Sequence, residues 1–163
     1  MPTLVTRKRN LKHSVPARVV SRLGNAMLAA LDLPRAELSV LLTDDDEIHQ
    51  LNREHRQKDK PTDVLAFAMD ENVPDKAGIL GDVVISLDTA ERQAKGRRRP
   101  LLEEVRFLLA HGLLHLVGYD HAEPVEKREM VAMTRRLVRL APLPEPAAPR
   151  PSARRKLSKG SKK

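Results

Sequence analysis

The stretch HGLLHLVGYDH, residues 111–121, constrains the fold of this chain more than any other segment. His111 and His115 are four residues apart, which on a helix puts both rings on one face, one turn apart. His121 follows at i+10, off that face if the helix continues. The three rings converge only if the helix stops, and Gly118 supplies the stop, because glycine takes the left-handed conformation at low cost. The spacing therefore predicts a helix that ends at Gly118 and a turn that returns His121 to the pair. Three imidazoles with a fourth position open form the arrangement of a catalytic zinc site, one ion per chain, although nickel, copper or iron also accept such ligands. The plainer alternative is a set of ordinary hydrogen-bonded histidines. Asp120 either orients a ligand from behind or is a solvated turn acid.

In zinc peptidases of this spacing the residue after the first His is the Glu that takes a proton from the attacking water. Here it is Gly112. Met130 and Met133 fall in a helical pattern and do not make a convincing methionine turn. The peptidase reading weakens, leaving a metal that acts as a Lewis acid or a source of hydroxide, with any base supplied elsewhere.

The remaining sequence predicts a single α/β (α+β) domain over residues 1–141, built on one mixed sheet of about four strands covered by helices, with the metal site at a helix end. Strand-like runs occupy 3–7, 37–43, 64–69 and 79–87. Helical stripes occupy 16–31 (Val19, Val20, Leu23, Met27, Leu28, Leu31), 44–56 (Ile48, Leu51) and 124–140 (Val131, Met133 or Thr134, Leu137, Val138). Asp88 and Glu91 have the spacing of a capping box and predict a helix start at Asp88. Pro100 opens the helix that carries the histidines. With no cysteine, disulfides and thiolate metal sites are excluded, and a reducing cytoplasm fits. No apolar run approaches the roughly 20 residues of a membrane span, and no secretory signal is visible at the N-terminus. The expectation is a cytoplasmic protein with no membrane partner.

The net charge of +8 misleads unless it is located. Seven Lys/Arg and no acid lie from Arg150 onward, so the rest of the chain holds 23 basic and 22 acidic residues. Residues 142–163, proline-rich and then basic, predict a disordered tail that is either an electrostatic tether to RNA or a solubilising extension. Within the body, Arg53, Arg56, Lys58 and Lys60 cluster in LNREHRQKDKPTDVLAF, residues 51–67. On charge alone this is a solvated loop. Yet Pro61, Thr62 and Asp63 fix the loop before an apolar strand, which can hold an Arg over a site. A guanidinium beside a metal suits a phosphate diester, because its fork grips the nonbridging oxygens. KGRRR, residues 95–99, either touches phosphates or is a solvated helix end, its cations favoured by the helix dipole.

LNREHRQKDKPTDVLAF, then GDVVIS (81–86), then HGLLHLVGYDH together resemble the signature segments of the YbeY family, single-strand-specific bacterial endoribonucleases and ribosomal RNA maturation factors. The match runs in order over residues 37–121. His55 stands where the family usually has Tyr, and Ala66 and Ala68 replace its usual Ser and Pro. The basic tail lies outside the pattern. The resemblance implies an α/β domain with Zn2+ on His111, His115 and His121, and Arg56 as the critical arginine. It further implies single-stranded RNA as substrate, processing of the small-subunit rRNA 3′ end, ribosome quality control, and the small ribosomal subunit as partner. Arg53, Lys58 and Lys60 are expected to meet RNA phosphates. Asp82, at the start of a strand, has three readings: cleft wall, partner of Arg56, or turn end. With one Tyr and two Phe, little stacking surface and weak sequence preference are expected. Two alternatives stay open, a zinc hydrolase of another class such as a peptidase, and a non-catalytic ribosome-assembly factor that contains zinc.

Overall fold

The computed structural model describes residues 3–69, 78–119 and 122–144. Among these residues four strands and five helices follow in the order β1 (Thr3–Arg7), α1 (Ala17–Ala30), β2 (Glu37–Thr43), α2 (Asp45–Arg56), β3 (Val64–Ala68), β4 (Ile79–Ser86), α3 (Leu87–Gly96), α4 (Leu101–Leu116) and α5 (Pro124–Leu140). The strands form one mixed sheet, as the sequence predicts, in the order β1-β2-β4-β3. β1 and β4 run parallel to β2, while β3 is antiparallel to β4 and forms an edge.

Alternation along the strands divides the core. Leu38, Val40, Leu42, Val83 and Ile85 face the larger cluster, where α1 contributes Val20, Leu23 and Met27 and α4 contributes Leu108, Leu109 and Leu113. Leu65 and Val84 face the other way and pack with Ile48 of α2. α4 is therefore pressed onto β3 and β4, which fixes where the histidines stand.

Three local expectations are corrected. α3 is capped by Ser86 and not by Asp88; the Ser86 hydroxyl accepts the Thr89 N–H at 3.3 Å. Asp88 instead accepts the Asp45 N–H at 3.1 Å and so tethers α2 to α3. On α5 the buried residues are Met130, Thr134 and Leu137, while Val131 is 43% exposed. Thr134 and Leu137 lie on the expected stripe, and Met133 and Val138 pack partly buried beside it, so only Val131 gives way, to Met130. The KGRRR segment is not simply solvated. Arg97 donates to Glu104 at 2.8 Å and Arg99 donates to it at 2.6 and 2.9 Å, and Glu104 is fully buried. A buried carboxylate needs such partners.

Asp45 joins the starts of α2 and α3. It accepts from the Thr89 hydroxyl at 2.6 Å, the Ser86 hydroxyl at 2.7 Å and Arg92 at 2.9 Å. Burial alone would raise its carboxyl, but these three donors outweigh burial and hold it below the ordinary 3.8. The folded state thus binds this proton less tightly than the unfolded state. Its contribution is complete at neutral pH and is lost as pH falls through the depressed folded value. Asp45→Asn is expected to melt earlier than wild type at pH 7. That gap should begin to close near pH 3.8 and vanish in stronger acid, as read by thermal melts across pH.

Candidate functional site

The histidine helix ends as its glycine predicts. Beyond Leu116 the Gly118 N–H donates to the His115 carbonyl at 3.2 Å, and the Tyr119 N–H to the Leu114 carbonyl at 2.9 Å. These are the paired bonds of a Schellman stop. Gly118 has φ +101°, and a Cβ there would meet nothing within 4 Å, so conformation and not space requires glycine. His111 and His115 bring their Nε2 atoms to 3.2 Å. Two nitrogens that bind one zinc at tetrahedral angles stand about 3.3 Å apart, so the pair fits a shared ion. His121, the third predicted ligand, and Asp120 lie outside the described residues.

Gly112 answers to the opposite constraint. It is buried, and a Cβ on it would come within 2.8 Å of Val83 Cγ1 and 3.2 Å of Val64 Cγ2. The side at which a zinc peptidase carries its base is here the contact between α4 and the sheet.

The loop after α2 is tied down by two polar residues of the cleft wall, Asn52 and Asp63. Asn52, buried on the inner side of α2, donates from Nδ2 to the Lys60 carbonyl at 2.9 Å. Asp63 accepts the Val64 N–H at 2.7 Å and Gln93 at 3.1 Å through its two oxygens. Gln57 takes the left-handed conformation (φ 59°) that turns the chain out of the helix. Arg56 Nη2 then donates to the Ala66 carbonyl at 2.9 Å, on the outer edge of β3. One nitrogen is so anchored while the rest of the fork stays available. His55 makes an aromatic contact, edge-on to Phe67 with centroids 5.1 Å apart.

These pieces meet in one cleft of about 680 Å³, whose walls include Arg56, Lys58 and Lys60 on one side and His111, His115 and Tyr119 on the other. Arg53 is not among its lining side chains and stands 3.7 Å from Asp59. Asp82 is exposed and also lies outside the cleft wall, and the partner of Arg56 is the Ala66 carbonyl. Among the described lining residues Asp63 is the single carboxylate, and both its oxygens are engaged. Asn52 and Tyr119 were not singled out from sequence. A polar residue one turn after Ile48, on an otherwise apolar stripe, is the signal for the first; nothing local marks the second.

A family profile described as Endoribonuclease YbeY matches residues 5–141. The chain belongs to the YbeY family. Endoribonuclease YbeY of Aquifex aeolicus is 49% identical over 118 residues, covering 72% of this chain and 78% of that protein. Endoribonuclease YbeY of Syntrophotalea carbinolica is 46% identical over 123 residues, covering 74% and 81%. The solution structure of TM1509 from Thermotoga maritima superposes with a TM-score of 0.58 at 26% identity, covering 85% of this chain and 89% of that one. The YbeY relatives are thus named as nucleases, and the α/β architecture is shared with a solved structure. Among the described residues no helix is long and apolar enough to cross a membrane.

Proposed function

We propose that the chain is a zinc-dependent endoribonuclease that cuts single-stranded RNA in the cytoplasm. In this reading it matures the 3′ end of the small-subunit rRNA, works on the small ribosomal subunit and serves in ribosome quality control. The observation that carries the chemistry is the single cleft in which Arg56, Lys58 and Lys60 face His111 and His115. Family membership carries the substrate class. Zinc on His111, His115 and His121 would supply a Lewis acid at the scissile phosphate. Arg56, braced on the Ala66 carbonyl, directs its remaining N–H donors at the nonbridging oxygens and stabilises the charge that develops there. Lys58 and Lys60 hold the flanking phosphates as point charges, so binding weakens steeply with salt. Asp63, with both oxygens engaged by Val64 and Gln93, positions the loop.

Arg56→Glu should therefore lower cleavage of a single-stranded RNA roughly 100-fold, the usual cost of removing one oriented donor. Its melting temperature should stay near wild type, since the residue is exposed. Cleavage unchanged in that variant would refute the role of Arg56. A substrate with a single 2′-deoxy sugar at the cut distinguishes attack by water, which it leaves undiminished, from attack by the ribose hydroxyl.

A further inference from the structure

A second cavity, about 280 Å³, opens between α4 and α5 and shares His111 with the cleft. Its floor is Phe107 and Met130, its lip is Val131, and Lys127 and Arg135 stand at its rim. Phe107 lies nearly parallel to His111, with 21° between planes and centroids 6.4 Å apart. Arg97 and Arg99, held by buried Glu104, place their guanidinium carbons 5.8 and 5.6 Å from the Phe107 ring centre.

The chain has only three aromatic side chains of the Phe, Tyr and Trp kinds. Phe107 lines this slot and Tyr119 lines the cleft, so two of the three border the histidine pair. An apolar slot against an aromatic ring, rimmed by cations and continuous with a phosphate cleft, matches a nucleotide with its base turned out of the strand. Bases of single-stranded RNA are bound in this way, stacked on aromatic rings while cations hold the backbone.

We infer that the slot between α4 and α5 binds one unstacked nucleobase of the RNA chain whose phosphate lies in the cleft, a reading that rests on the proposed ribonuclease function. Phe107 is the stacking surface, Met130 and Val131 close the apolar sides, and Lys127 and Arg135 take the phosphate of that nucleotide. Purines are favoured for their larger stacking face. The slot adds a preference at one position that the scarcity of aromatics argued against.

The test measures equilibrium binding of a short single-stranded RNA labelled at one end, with an abasic site moved through it one position at a time. Wild-type protein, Phe107→Ala and Val131→Glu are compared. Val131 is exposed on α5, so its replacement leaves the fold intact while setting a carboxylate at the mouth of the slot. At one position the abasic site should weaken wild-type binding roughly 5- to 100-fold, the range for loss of one stacked base. Both variants should bind intact RNA correspondingly less tightly and show no further loss at that position. Equal abasic profiles in wild type and Val131→Glu overturn the slot while leaving the cleft reading intact. Wild-type protein that binds no single-stranded RNA overturns both. If Val131→Glu instead changes the sedimentation of RNA-free protein, the occupant is a second copy of the chain and the nucleobase assignment fails.

Discussion

Gly112→Glu, which would give the histidine segment the carboxylate of a zinc peptidase, is expected to destabilise the fold and confer no peptidase activity. The first carbon of any side chain at residue 112 meets Val83 Cγ1 at 2.8 Å and Val64 Cγ2 at 3.2 Å. Val83 is fully buried on the central strand β4, so that wall cannot retreat cheaply. Overpacking of this kind costs about 1–3 kcal/mol, a large fraction of a domain's whole stability, which starts at about 5 kcal/mol. Gly112→Ala isolates the steric part. It should lose about 1–2 kcal/mol, because alanine's better helix propensity returns up to about 1 kcal/mol. Urea denaturation followed by circular dichroism reads both variants, and a Gly112→Glu protein as stable as wild type would sink the packing explanation.

The two glycines of the histidine segment show what a sequence discloses and what it withholds. Gly118 was legible because its role is local: the helix had to end, and the left-handed conformation at that point is written in the residue type. Gly112 was legible only as an absence, a base that is not there. That the helix needs glycine to lie against Val83 depends on β4, nearly thirty residues earlier in the chain. The strands and helices themselves were legible because alternating and helical stripes are local patterns. The strand order β1-β2-β4-β3 and the packing of α2 on the second face of the sheet follow from long-range packing.

The same division runs through the site. Arg56, Lys58 and Lys60 announce themselves as charges, but their convergence on the histidines required the cleft. Arg53, one turn before Arg56 in the same cluster, turns toward Asp59 instead. Charge could not separate the two, because both look alike on a helix end. Glu104 was hidden for the reverse reason. A glutamate near a helix start reads as a solvated acid favoured by the dipole, whereas here it is the buried anchor of Arg97 and Arg99.

His115→Ala is expected to strip the metal and to lower RNA cleavage by roughly 1,000-fold or more, since a bound metal contributes several kcal/mol at a developing charge. The 3.2 Å separation of the His111 and His115 nitrogens suits one shared ion, so in the proposed reading removal of either ring would take away half of that pair. Metal content measured beside single-turnover cleavage, in wild type and His115→Ala, separates three accounts. Loss of zinc with loss of cleavage supports the nuclease. Retention of zinc at wild-type stoichiometry means that His115 is not a ligand, and the pairing of the two rings is then an ordinary contact. Loss of zinc with undiminished cleavage means that the ion does not serve the reaction. That last outcome would move the chemistry to Arg56 and its lysines, and leave the histidine turn as a structural clasp at the end of α4.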